Sequence, residues 1–117
     1  MYEWPKDLDV NSVFIGRELE TITFAQYSIY LRLGEELLLS IMSDCVYTTD
    51  KITEEITFPV RQTNIIFSIG SKIVKVELID KKDICLWFED GAKLEVNGST
   101  KQYECYSVNF KGREFYV

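Results

Sequence analysis

The chain contains no histidine. That removes the side chain most often used as a general base and most often used as a metal ligand. No Ser–His or Cys–His nucleophile pair can form within the chain. Cysteine is scarce and odd in number: Cys45, Cys85 and Cys105, with no pair at CxxC spacing. Such a set argues against a disulfide framework and for buried or half-buried free thiols. Zinc would need all three cysteines plus a carboxylate, with no local spacing to support it, so neither a metal nor a cofactor is expected. Two prolines and six glycines leave little room for a long linker or disordered tail. Gly16 and Gly70 are isolated, without the surrounding glycines of a phosphate-binding loop. No apolar run approaches the roughly 18–20 residues of a membrane span. The opening "MYEWPKDLD" lacks a basic region followed by an apolar stretch. A cytoplasmic protein with no membrane partner is therefore the expectation.

What is present is a core. The chain has 117 residues, 46% of them hydrophobic and 14% aromatic, enough for one domain over 1–117 that folds without covalent staples. The net charge of −6 is unevenly spread: residues 1–58 hold 4 Lys or Arg against 11 Asp or Glu, and residues 59–117 hold 9 against 8. An acidic first half argues against nucleic acid as a partner, because phosphate binding needs Lys and Arg. It permits steering toward a basic partner, although an acidic surface also serves solubility alone.

The two halves can be aligned. In "FIGRELETITFAQYSIYLRLGEELLLSI" and "SIGSKIVKVELIDKKDICLWFEDGAKLEV", Gly16 matches Gly70, Leu19 matches Ile73, and Ile29, Leu31 and Leu33 match Ile84, Leu86 and Phe88. The length differences fall at turns, where insertions are tolerated. Each half reads as a short helix followed by a β-meander, over about 9–42 and 59–97, with a C-terminal hairpin over about 103–117. Ile29, Leu31 and Leu33 alternate with polar neighbours, as do Val74, Val76 and Leu78, the period of half-buried strands. Asp90-Gly91 suggests a type I′ hairpin turn. Asp9 or Asn11 would cap the first helix, and Pro59 would open the second, which stops at Gly70. The stretch Asp44 to Phe58 joins the halves as a strand continuation and exposed loop. The expected class is α+β and β-rich: two tandem helix–meander repeats plus a hairpin, forming a pseudo-two-fold sheet pair or barrel.

Acidic pairs occur at Glu18 and Glu20, Glu35 and Glu36, and Glu54 and Glu55. Hydrolytic chemistry needs two carboxylates facing one substrate. These pairs equally describe solvated strand faces and turns, and no catalytic residue is assigned. If Leu31 and Leu86 point inward, Tyr30, Arg32, Cys85 and Trp87 point outward. Exposed, they would suit an interface; under a second layer they would be buried. In "QYECYSVNF", Tyr106, Val108 and Phe110 share the core-facing parity, and Tyr103, Cys105, Ser107 and Asn109 the opposite one.

The frame "FIGRELETITF", with "GSKIVKVEL…ICLWFEDGAKLEV" and a "YECY" box at Tyr103–Tyr106, resembles small bacterial immunity proteins encoded beside polymorphic or contact-dependent toxins. Their pattern has a GRxLE opening and a YESY-like box. Here Cys105 stands in place of the serine, which removes any role for that hydroxyl. The resemblance covers roughly residues 12–117. It implies a cytoplasmic, non-enzymatic inhibitor that binds and occludes one cognate toxin, a basic protein such as a nuclease. Acidic residues of the first half and linker are then the expected contacts: Glu35, Glu36, Asp44, Asp50, Glu54 and Glu55. A β-barrel module holding a small apolar ligand is the alternative.

Overall fold

The computed structural model describes residues 3–99 and 104–117; Tyr103, expected to open the last hairpin, lies outside them. The chain is β-rich. Among the described residues, ten strands form two five-stranded antiparallel sheets. The first sheet runs β1 (Thr21–Phe24), β2 (Ile29–Arg32), β3 (Leu37–Ile41), β9 (Tyr106–Phe110), β10 (Arg113–Tyr116). The second runs β5 (Thr53–Ile56), β4 (Cys45–Thr48), β8 (Lys93–Val96), β7 (Asp83–Phe88), β6 (Ile73–Ile79). Each sheet is a three-stranded meander completed by a hairpin from the other half of the chain.

The inward residues follow the period-2 alternation. Ile29 and Leu31 on β2, Leu37, Leu39 and Ile41 on β3, Ile84 and Leu86 on β7, Leu94 on β8 and Val108 on β9 are all fully buried. They belong to one cluster that draws on both sheets. Burying each such side chain contributes on the order of 1.5–3 kcal/mol. The space between the sheets is thus filled by aliphatic and aromatic side chains.

The sheets are stitched where β1 and β6 begin. Gly16 N–H donates to the Ile73 carbonyl and Ile73 N–H to the Arg17 carbonyl. Leu19 N–H donates to the Ser71 carbonyl and Gly70 N–H to the Leu19 carbonyl. Exchanging Gly16 with Gly70, Arg17 with Ser71 and Leu19 with Ile73 turns each bond into another of the four. Gly16 and Gly70 lie at φ +83° and +92°, the left-handed region that glycine enters without steric cost.

Several local expectations are corrected. The Asp44–Phe58 stretch holds the expected strand, as β4, and an exposed turn at Asp50, but also a second strand: it forms the β4–β5 hairpin, and Tyr47 lies opposite Leu94 of β8. The inward row Cys45, Tyr47 and Ile56 is buried, and this apolar row holds the segment in the sheet. The helix expected from Pro59 is absent; the segment ends in a 3-10 turn over Ile65–Ser68. Val60, Thr63, Ile65 and Ile66 are β-branched and disfavour a helix, and the Glu54 carboxylate accepts the Asn64 N–H at 2.9 Å. The first helix does form, as α1 (Val10–Phe14), with the Asp9 side chain accepting from Asn11 N–H. Val74 does not continue the inward row. The register shifts between Ile73 and Lys75, and this bulge leaves Val74 54% exposed.

The turn at Asp90-Gly91 is also not type I′. Gly91 N–H donates to the Phe88 carbonyl and Phe88 N–H to the Ala92 carbonyl. Only Gly91 of that turn has positive φ, giving a type I turn closed by a left-handed glycine. The β6–β7 turn, by contrast, places Asp80 and Lys81 at φ 53° and 63° without any glycine. Trp4 N–H donates to the Lys81 carbonyl and the Tyr106 hydroxyl to that of Lys82. These tertiary bonds hold a conformation that costs roughly 1 kcal/mol or more per residue. Trp4 also packs edge-on against Phe115 at 4.8 Å, so the N-terminal segment bridges β10 and the β6–β7 turn.

Candidate functional site

Strand register sets the chemistry of the outer face of the second sheet. Glu55 lies opposite Val46, Val46 opposite Glu95, Glu95 opposite Cys85, and Cys85 opposite Glu77. One outward row therefore crosses all five strands and carries three carboxylates. Neighbouring strands are about 4.8 Å apart, so consecutive carboxylates in the row stand roughly 10 Å apart. Asp44 and Asp83 add charge at the strand ends. Together with Val46, Ile79, Cys85 and Glu95 they line a groove of about 470 Å³ that Glu55 also borders.

The next outward row is different. Thr53, Thr48, Lys93, Trp87 and Lys75 lie opposite one another in sequence across the same strands. The Lys75 ammonium sits 4.5 Å and that of Lys93 5.8 Å from the centre of the half-buried Trp87 ring. Lys93 also pairs with Glu95 at 2.7 Å. Hydrogen bonding and charge from Glu95 hold the Lys93 ammonium above its ordinary value.

Cys85 lies within the acid row but is 7% exposed. Burial first, then Glu95, pushes its thiol up, with Lys93 opposing. Burial, aided by Asp44 and Glu54, pushes the neighbouring Cys45 thiol up to about 12. Both are the reverse of an activated thiolate. All three cysteines are buried, and none is in a disulfide.

The expected contact residues separate. Asp44 and Glu55 border the groove. Glu54 faces the other way: its carboxylate accepts from the Thr63 hydroxyl and from the Asn64 backbone and side-chain amides. Asp50 is exposed in the β4–β5 turn. Glu35 and Glu36 sit at the β2–β3 turn of the first sheet, where Glu36 pairs with Arg17 at 3.3 Å. The groove gathers Asp83 and Glu95 beside Asp44 and Glu55, and the row adds Glu77. The alternation of Lys75 and Glu77 with Val76 and Leu78 marks Glu77 as an outward residue in the sequence.

Tyr30, Arg32 and Trp87 are half-buried. In the last hairpin Tyr106 and Val108 point into the core, but Cys105 and Ser107 are buried as well. Cys105 accepts from the Met42 and Ser43 amides.

A second polar constellation lies inside. The Tyr47 hydroxyl and Ser68 Oγ are 2.6 Å apart, and Ser68 donates to Asp90 at 2.9 Å. Ser68 is fully buried, so its hydroxyl ties three segments together and is not presented to a substrate. Among the described residues no group of three or more Cys, Asp or Glu could hold a metal ion, and no helix is long and apolar enough to cross a membrane.

No family model, curated protein or solved structure matches this chain.

Proposed function

We propose that this chain is an immunity-type protein of the bacterial cytoplasm that binds a basic cognate toxin and occludes its active site. The binding surface in this reading is the acidic outer face of the second sheet. The observation that carries it is the in-register row Glu55–Val46–Glu95–Cys85–Glu77, flanked by Asp44 and Asp83. Fixed carboxylates on a rigid sheet need no reordering to meet Lys and Arg, and their summed field raises the association rate. Trp87 beside the row supplies an aromatic anchor of the kind that dominates binding energy. Several contacts first expected from the acidic half do not share this surface, so the reading rests on Asp44 and Glu55 together with Glu77, Asp83 and Glu95.

The test is double charge reversal, Glu55→Lys with Glu95→Lys, against the toxic segment encoded beside this chain. The expected result is a loss of affinity of at least about tenfold, a weaker dependence on salt, and lost protection of growing cells. Reversing Glu35 and Glu36 instead should change neither. Unchanged affinity and salt dependence in the Glu55/Glu95 variant would remove the assignment.

A further inference from the structure

Asn97 and Gly98 follow β8, and the packing there dictates a glycine. A Cβ on Gly98 would clash with the Lys82 backbone carbonyl. The Tyr106 hydroxyl holds that carbonyl at 2.7 Å. Gly98 is therefore buried against a fastened turn that leaves no room for a side chain. An asparagine before a glycine carries a chemical liability. The backbone nitrogen of the following residue can attack the asparagine Cγ, and glycine puts no side chain in the way. The other asparagines, Asn11, Asn64 and Asn109, precede Ser12, Ile65 and Phe110, whose side chains hinder that closure. The fold thus requires glycine at the position where it makes Asn97 most reactive.

The peptide unit joining the two residues is held from both sides. Gly98 N–H donates to Asp83 Oδ1 at 2.8 Å. The Asn97 carbonyl accepts from the Ser43 hydroxyl at 2.7 Å, and Ser43 is 3% exposed. Ser99 N–H donates to Asn97 Oδ1 at 2.8 Å, which fixes the carboxamide as well. The Ser99 hydroxyl adds a further bond to Asp83 Oδ1 at 2.8 Å. Asp83 opens β7 and Ser43 lies between β3 and β4, so the two holds come from different parts of the chain. Turning the Gly98 nitrogen onto Cγ breaks both. Asn97 itself is exposed, so water reaches its carboxamide.

We propose that Asn97 is a self-modification site guarded by Asp83: it loses its amide through a succinimide when the bond between Asp83 and Gly98 opens. The Gly98 nitrogen gives its proton to solvent and bonds to Cγ. The Cγ–Nδ2 bond breaks, and Nδ2 leaves as ammonia with a proton returned from solvent. One water then opens the five-membered ring. Opening at the Asn97 backbone carbonyl gives isoaspartate, and opening at Cγ gives aspartate. The sum is amide plus water to acid plus ammonia, with no other reagent. Asn97 borders the groove with Asp44, Asp83 and Glu95. Either product therefore adds one negative charge to that surface, and the change runs in one direction only. The step does not depend on what the groove binds.

Incubation of the chain in mildly alkaline buffer, followed by intact mass, peptide mapping and enzymatic labelling of isoaspartate, tests this. The wild type should convert at Asn97 and at none of the other three asparagines, more slowly than a free peptide of residues 94–99. Asp83→Ala removes a charged acceptor and should speed conversion by more than about tenfold. Asp83→Asn keeps an acceptor oxygen in place and should fall between the two. Glu54→Ala destabilises the chain far from Asn97 and should leave the rate unchanged. Should Asp83→Ala not fold, Ser43→Ala releases the other side of the same peptide unit and should also convert faster than the wild type. Conversion in Asp83→Ala no faster than in the wild type would overturn the proposal, as would slower conversion, the mark of Asp83 acting as a base. So would a wild type as fast as the peptide. Equal acceleration by Glu54→Ala would overturn it too, because the reaction would then run through global unfolding.

Discussion

The Tyr47–Ser68–Asp90 chain supports a quantitative prediction about how the β4–β5 hairpin is fastened to the 3-10 turn. Tyr47 is 1% and Ser68 0% exposed. A carboxylate at neutral pH only accepts hydrogen bonds, so Ser68 gives its proton to Asp90 and Tyr47 must donate to Ser68. Tyr47→Phe then removes one donor and leaves a single Ser68 lone pair unused, at a cost of about 0.5–1.5 kcal/mol. Ser68→Ala removes both bonds and strands the buried Tyr47 hydroxyl. The stranded hydroxyl alone costs about 1–3 kcal/mol, and the lost bond to Asp90 adds roughly 1 more. The double variant has no stranded group. Adding Tyr47→Phe to Ser68→Ala should therefore cost nothing further or restore stability, with a coupling of about 1–2 kcal/mol. Urea unfolding of the four proteins at neutral pH, compared at constant m-value, measures this. If the two substitutions add, each costing the same in either background, the proton assignment and the chain itself are wrong.

Three further outcomes follow from the packing. Gly98→Ala should destabilise the chain by about 1–3 kcal/mol or more, because its Cβ would clash with the Lys82 backbone carbonyl; thermal unfolding would show it. Glu54→Ala should cost about 1.5–3 kcal/mol and Glu55→Ala less than about 0.5, although the residues are adjacent, since Glu54 alone anchors Thr63 and Asn64. Burial raises the Cys45 thiol from 9.0 to about 12. The unfolded chain therefore loses this proton first, and stability present below pH 9 should fall as pH rises toward 12, by up to about 1.4 kcal/mol per pH unit from this group. Cys45→Ala should flatten that slope in urea melts between those limits, and an unchanged slope would contradict the assignment.

Much of the inner structure could be read before the fold was known, because strand alternation is local. Ile29, Leu31, Ile84, Leu86 and Leu94 are placed by parity alone, and the structure buries them all. The Asp9 cap and the turn glycines Gly34, Gly91 and Gly112 are equally local, since left-handed φ is a property of one residue. The turn at Asp80 and Lys81 was not legible. It has no glycine, and bonds from Trp4 and Tyr106, both remote in sequence, maintain it. The segment from Pro59 to Gly70 reads as a helix in sequence for a related reason: what competes with the helix is the carboxylate of Glu54, supplied by β5.

Residue identity and short-range period are enough for the β-rich class, most of the inward rows, the absence of any histidine chemistry and the total charge. Which carboxylates share one surface depends instead on the pairing of strands distant in the chain. The β4–β5 hairpin joins the sheet of the second half, and so brings Asp44 and Glu55 beside Asp83, Glu95 and Glu77, while Glu35 and Glu36 stay on the other sheet. Strand pairing is long-range, and a row of side chains across a sheet exists only after the register is set.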